Sequence, residues 1–320
     1  MAHVLRLRPF YGIVLLLLSL WLGLSGVVVA QSGDFDWSDA AVRELYPGIA
    51  HAHIRTDTPR PLNINCVRID TNSDTPLRFF TTPRVAAWEL GEHETMRQST
   101  RDFLRQYRDE GMRMVVAVNA DAFSPWPAPW NEATLSTLLG LAVSDGTLVS
   151  APNGTPSLLV YEDGRMEMAR TDENTELEGV HTAVSGFGFA LRHGEVQPSG
   201  DDQHPRTGLG LSEDGDQLYI LTIDGRRHAS HGVTVQEVGA WLQHFGAYDG
   251  INMDGGGSTT LAWWDEDAED EDPAQLLNEP ITEGVWLNRT PEEEAEGYAP
   301  TERYNGNNLG VLIGDAAAGE

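Results

Sequence analysis

Hydrophobic and polar positions along this chain alternate in two distinct rhythms. LNINCVRID (62–70) alternates with a period of two and predicts a strand. HETMRQSTRDFLRQYRDE (93–110) places Met96, Phe103, Leu104 and Tyr107 near one face of a helix, with Gly111 as its stop. MVVAVN (114–119) is a short, continuously apolar run that predicts a buried strand ending at Asn119. From 140 to 225, apolar runs are separated by SDG (144–146), EDG (162–164), RHG (192–194), EDG (213–215) and IDG (223–225). Such dipeptides supply the positive backbone angles of tight hairpins, so the region reads as a β-meander. VTVQEVGAWLQHFGA (233–247) carries Val235, Val238, Leu242 and Phe245 at helical spacing. Thr234 and Glu237 match a capping box, and Gly246 suits the left-handed C-terminal position. A short apolar stretch then leads into Asp254, and RYNGNNLGVLIGD (303–315) closes the chain with a final strand. These elements predict one α+β domain: a mixed, largely antiparallel sheet with the 93–110 and 233–246 helices packed on it.

The ends and the charge qualify this picture. Arg6 and Arg8, an apolar run centred on IVLLLLSLWLGL and the exit VVVA at Ala30 make residues 1–30 resemble a secretory signal peptide. An uncleaved anchor is the alternative, since the run approaches the ~20 residues that span a bilayer. Either way the body is expected outside the cytoplasm, secreted, periplasmic or at the cell envelope, and no later segment is apolar enough to span. Residues 31–60 read as a polar N-terminal lead-in, and 61–320 as the functional domain. The net charge is −28, with no lysine in the chain. That surface repels nucleic acid and anionic membranes. Cys66 is the single cysteine, so no internal disulfide forms, and its place in an alternating strand marks a buried thiol. The acid blocks DEDAEDED (265–272) and PEEEAEG (291–297) are expected to stay solvated. The first is a candidate calcium ligand set, although its spacing lacks that of a dedicated loop.

Candidate chemistry concentrates at INMDGGGSTT (251–260). Glycines let backbone approach a ligand closely, and their bunched N–H groups can cradle an anion. Ser258 and Thr259 add hydroxyls. Asp254 accepts hydrogen bonds only, so it fits beside a sugar hydroxyl, a water or a glycosidic oxygen. The stretch therefore suits a ligand with an anionic and a polyhydroxyl part. Arg206 in HPRTGLG (204–210) is a phosphate-binding candidate, with a surface ion pair as the alternative. Asp224 and Asp254 are both Asp-Gly at strand ends, thirty residues apart across one helix. If their strands are neighbours, two carboxylates flank one pocket, as acid/base glycoside chemistry requires. Asn119, at the end of its own strand, can serve a sugar or a phosphate. No metal-ligand spacing appears, and no cofactor is expected.

NMDGGGSTT after the TVQEV…LQHFGA helix resembles the signature of the phosphodiester glycosidase family. VAVNADAF, HPRTGLG, LTIDGRR and RYNGNNLGV match further segments in order, over roughly residues 110–315. The resemblance implies an exported hydrolase acting on sugar-1-phosphodiesters of N-acetylglucosamine type, with a link to exopolysaccharide. It implies a pocket from Asn119, Arg206, Thr207, Asp224, Asp254, Gly255, Gly256, Gly257, Ser258, Thr259, Arg303 and Asn307. Asp254 and Asp224 are the expected catalytic carboxylates. Arg206 and the amides at Gly255 to Gly257 are the expected phosphate ligands. Ala120 and Asp121 depart from the family, which usually has two glycines there. A non-catalytic glycan-binding protein of the envelope is the alternative function.

Overall fold

The computed structural model describes residues 35–125, 130–268, 272–282 and 284–314. The leader-like 1–30 segment lies outside the described residues. Every strand pair among them is antiparallel, and the strands form four sheets. The largest sheet has eight strands, in the spatial order Arg43–Tyr46, Ile49–Thr56, Leu62–Asp70, Gln217–Ile223, Arg206–Leu211, Asp249–Asn252, Gly188–Arg192 and Glu195–Val196. A five-stranded sheet runs Ala274–Leu276, Leu261–Trp264, Met114–Asn119, Asn308–Ile313, Leu77–Thr81. A second, holding the hairpins between 142 and 185, flanks it. The 31–60 segment is thus more than a lead-in, because Arg43–Tyr46 and Ile49–Thr56 build one edge of the main sheet.

Side-chain alternation explains the layering. Val67, Ile69, Leu218 and Ile220 meet Val116, Val118, Leu309 and Val311 in an apolar interface between the eight-stranded sheet and the first five-stranded one. The opposite faces receive the helices. Ile64, Cys66, Leu221 and Ile223 pack against Val238, Trp241, Leu242 and Phe245 of helix α2 (Val235–Phe245). Met114, Ala117 and Leu312 pack against Phe103, Leu104 and Tyr107 of helix α1 (Thr100–Asp109). Each buried Val, Leu, Ile, Phe or Met among them stabilises by roughly 1.5–3 kcal/mol. The molecule is therefore a β-sandwich between two thin helical layers. It is more β-rich than the single mixed sheet expected, since a strand such as MVVAVN is covered on both faces without a crossover helix.

The capping box of α2 forms as the sequence predicts, and Gly246 takes φ 109°. Helix α1 begins later than its periodicity suggests. The Ser99 side chain accepts from Asp102 N–H and caps it, while Thr95–Met96 is drawn into a strand against Leu135–Leu138. Met96 is accordingly 41% exposed and not on the helix face. Four of the five Asp-Gly-type sites are hairpin turns with glycine φ between 70° and 87°. The fifth, at 223–225, ends the Gln217–Ile223 strand without a hairpin and delivers Arg226 in the left-handed region, φ 62°. Cys66 is fully buried, and burial pushes its thiol up.

The acid blocks do not simply face solvent. Asp272 and Glu266 pair with Arg105 and Arg108 of α1. PEEEAEG forms helix α3 (Pro291–Gly297) with its own capping box, and Glu294 is buried against Arg227. The residues 269–271 of the first block lie outside the described set.

Candidate active site

The strands Met114–Asn119, Gln217–Ile223 and Asp249–Asn252 end, and Arg206–Leu211 starts, at one edge of the sandwich, and the 253–260 loop lies across it. Asn119 locks it there. Its Nδ2 donates to Asp254 O (2.7 Å), and its Oδ1 accepts from Thr207 Oγ1 (2.7 Å) and Thr260 N (3.1 Å). Asn119 and Thr207 thus spend their polar atoms on the scaffold. Asp254 N in turn donates to Ala120 O (3.1 Å).

The side chain of Asp254 is 5% exposed. Its Oδ1 accepts from Gly255 N (3.0 Å), while Oδ2 has no hydrogen-bond partner among the described residues. Burial pushes its pKa up to about 6, against the opposing pull of the Ser258 hydroxyl, Arg303 and the Gly255 N–H. An unpaired buried acceptor is costly, so such an atom marks a place where a ligand or water completes the bonding. The carboxyl borders a cavity of about 340 Å³ walled mainly by Phe123, Leu138, Leu139 and Phe187, with Ser124 and Thr137 as hydroxyls. Phe187 and Leu139 are 52% and 40% exposed, an accessible apolar surface. The Oγ1 atoms of Thr259 and Thr260 are also buried without partners among the described residues.

Three arginines surround the glycine turn. Gly256 has φ 62°, and a side chain there would run into the Arg226 guanidinium. A side chain on Gly257 would collide with Arg303, whose Nη1 donates to Ser258 Oγ (3.3 Å) and whose guanidinium stacks over Trp130 at 4.1 Å. Arg206 lies beside Gly255 and donates to the carbonyls of Val233 (3.2 Å) and Asp202 (3.1 Å). Among the described residues, neither Arg206 nor Arg226 has a carboxylate within ion-pair distance, in a chain of charge −28. Burial lowers the proton affinity of Arg206, and Arg226 lowers it further; burial lowers that of Arg226 as well. His204 is held below its usual range by burial and by both arginines. The turn is electropositive through side chains more than through its amides. Gly255 N–H is taken by Asp254 and Gly256 N–H by Pro205 O (2.8 Å), which leaves Gly257 N–H alone of the three without a partner among the described residues.

Asp224 sits differently. Its oxygens accept from Asn63 Nδ2, Asn278 Nδ2 (2.9 Å) and Glu279 N (3.0 Å), and Asn278 also donates to Thr259 O (3.1 Å). Burial pushes its pKa up. Asp224 therefore braces the back of the 253–260 loop, and it does not line the cavity beside Asp254. Asn307 is likewise engaged: its Nδ2 donates to Asp121 Oδ2 (2.7 Å) and its Oδ1 accepts from Thr82 N (3.0 Å) and the Thr81 hydroxyl. Arg226, Asn278 and the aromatic walls were not singled out in the sequence. IDGRR contained the signal for Arg226, but a second arginine after a turn looks like any surface residue. Among the described residues, the one triple of acids and histidines whose ligand atoms lie mutually within 4.8 Å is the exposed Glu89, Glu92 and His93, away from the acid blocks.

Fold and site together define a β-sandwich protein with a buried carboxyl and an arginine cluster at one strand-end loop. The profile of the phosphodiester glycosidase family matches residues 112–312, and the chain belongs to that family. The catalytic domain of zebrafish N-acetylglucosamine-1-phosphodiester α-N-acetylglucosaminidase, auto-inhibited by its pro-peptide, superposes with a TM-score of 0.56 at 17% identity, covering 89% of this chain and 87% of that one. A hypothetical protein from Synechocystis superposes at 0.51 with 13% identity, over 83% and 62% of the two chains. The SPbeta prophage-derived uncharacterized protein YomE of Bacillus subtilis is 27% identical over 166 residues, 47% of this chain. The match spans only 24% of that curated relative's length.

Proposed function

We propose that the protein is an exported hydrolase that cleaves the bond between a sugar's anomeric carbon and a phosphodiester, with an N-acetylglucosamine-like sugar as substrate and envelope glycan or exopolysaccharide as its setting. The observation that carries this reading is Asp254: a buried carboxyl, its Oδ2 without a hydrogen-bond partner among the described residues, between an apolar-walled cavity and a cluster of arginines. A sugar ring seats against Phe187 and Leu139, which offer apolar surface to its C–H face. The phosphodiester lies toward Arg226, Arg206 and Arg303. Above pH of about 6 Asp254 is ionised and faces the anomeric carbon, where positive charge develops as the bond to phosphate lengthens. The arginines stabilise the departing phosphate, so strong proton donation to it is unnecessary. Asp224 serves by bracing the loop through Asn278, and Asn119, Thr207 and Asn307 by holding the strand ends. The leader-like first thirty residues support export.

Among the described residues Asp254 is the one carboxyl that lines the cavity, and this favours as a second reading a glycan-binding protein that holds the same ligand without turnover. Hydrolysis of a synthetic N-acetylglucosamine-1-phosphodiester by the purified protein separates the two. Release of the free sugar supports the hydrolase. Saturable binding by calorimetry with no release supports the binding protein, and the absence of both release and binding rules this sugar out.

A further inference from the structure

The acid block PEEEAEG (291–297) and the second arginine of IDGRR have no part in the proposed reaction, yet they meet beside it. Arg226 is held at both backbone atoms. Its N donates to His231 O (3.1 Å), and its O accepts from Leu287 N (3.1 Å). The next rung closes a tight turn: Arg227 N donates to Ser230 O (3.0 Å) and Ser230 N to Arg227 O (3.2 Å), with the N–H groups of His228 and Ala229 at the tip. Glu294 of helix α3, 5% exposed, accepts from both. Its Oε2 accepts from His228 N (2.6 Å), and its Oε1 from Ala229 N (3.4 Å) and Arg227 Nε (3.1 Å). Bonds to an ionised acceptor are the strong kind. The turn is held elsewhere too. Arg227 stacks on Tyr298 at 3.5 Å, and His228 Nε2 donates to Arg289 O (2.7 Å). At its base, a side chain on Gly225 would meet Pro205 N at 2.6 Å, so the Arg226 and Arg206 segments run side by side.

The charges of the turn are sorted. Arg227 pairs with Glu279 and Glu294, and Arg55 pairs with Glu279 as well. Two arginines thus meet two glutamates. Arg226, one residue earlier, has no carboxylate within ion-pair distance among the described residues, and its guanidinium reaches Gly256 instead. Consecutive arginines reach different partners because Arg226 stands in the left-handed region, φ 62°. That conformation is unfavourable for a residue with a Cβ, and it persists where surrounding contacts impose it. Glu294 supplies three of those contacts to the residues that follow.

We propose that Glu294 is a positioning residue for the phosphate group: by holding the 228–229 amides and Arg227, it fixes Arg226 in its left-handed conformation and presents that guanidinium at the glycine turn with no acid to neutralise it. The inference rests on the reading of Arg226 as a phosphate contact.

The test is calorimetric binding of inorganic phosphate to the full chain, in the wild type, Arg226→Ala, Glu294→Ala, Glu294→Gln and the double variant Arg226→Ala/Glu294→Ala. Arg226→Ala should weaken phosphate binding about tenfold or more. Glu294→Ala should weaken it about three- to tenfold, the effect of misplacing that contact. Glu294→Gln, which keeps one acceptor oxygen, should fall between Glu294→Ala and the wild type. The double variant should bind no more weakly than Arg226→Ala alone, because Glu294 acts through Arg226. Where turnover is measurable, Glu294→Ala should raise KM for the phosphodiester by the same factor and leave kcat within about twofold. A purely structural Glu294 lowers the melting temperature and leaves phosphate affinity and KM in place; that result, or effects that multiply in the double variant, overturns the proposal. Should Glu294→Ala fail to fold, the isosteric Glu294→Gln arm decides. Phosphate affinity unmoved by Arg226→Ala overturns the phosphate role of Arg226 and this proposal with it. Affinity lost in Arg226→Ala but kept in Glu294→Ala overturns this proposal alone. Absence of hydrolysis leaves the binding arms decisive.

Discussion

Asp224 ends the strand Gln217–Ile223, Asp254 follows the strand Asp249–Asn252, and each precedes a glycine and is almost wholly buried. Around Asp224, two asparagine amides and one backbone N–H occupy the oxygens. Around Asp254, one backbone N–H occupies Oδ1, and Oδ2 is left toward a cavity. The difference comes from what covers the strand end. The segment 278–279 closes over Asp224, whereas the glycine turn folds away from Asp254 and holds three arginines beside it. Identical local motifs therefore serve as a brace in one place and as a candidate reaction centre in the other.

The sharpest way to break that comparison is to neutralise each carboxyl. Asp254→Asn is expected to lower kcat by about 10²–10⁴-fold with the fold intact, and turnover of the wild type should rise with pH through about 6. The linkage has a definite sign. The folded value of about 6 lies above the ~3.9 of an unfolded aspartate, so the native state holds this proton more tightly. The stability contributed by this group is whole below about pH 4 and is lost as pH rises through about 6. At pH 7 the Asp254→Asn variant should therefore be more stable than the wild type, by about 2 kcal/mol in denaturant melts. Asp224→Ala should do the reverse, costing about 3 kcal/mol of stability because buried donors lose their acceptor. Equal behaviour of the two variants would erase the distinction.

A smaller effect sharpens it from the phosphate side. Arg226→Ala should raise KM for the phosphodiester about tenfold or more, the loss of one charge-assisted contact, and leave binding of the free sugar unchanged. Smallest is Gly256→Ala, which places a side chain at φ 62° against Arg226. It should cost about 1–2 kcal/mol in thermal melts.

Much of this was legible before folding was considered. Helix α2, its capping box and Gly246 follow from 3.6-residue spacing and cap chemistry, which are local. The hairpins at Gly146, Gly164, Gly194 and Gly215 follow from turn chemistry for the same reason. The family segments place Asp254, Arg206 and Arg303 at one site. The start of α1 was hidden, because Thr95–Met96 is claimed by a strand thirty-nine or more residues away. Arg226 was hidden because its lack of a carboxylate partner among the described residues depends on where the acids of other elements point.

By itself, then, the sequence determined what depends on neighbours along the chain: helix and strand periods, caps, turns, the acidic surface and the order of the family segments. Tertiary structure alone decided which aspartate is satisfied and which is not. The hold on the Asp254 loop and the amides on Asp224 are made by residues dozens to hundreds of positions away. The energy of a buried charge is set by those distant groups, and no local pattern encodes it.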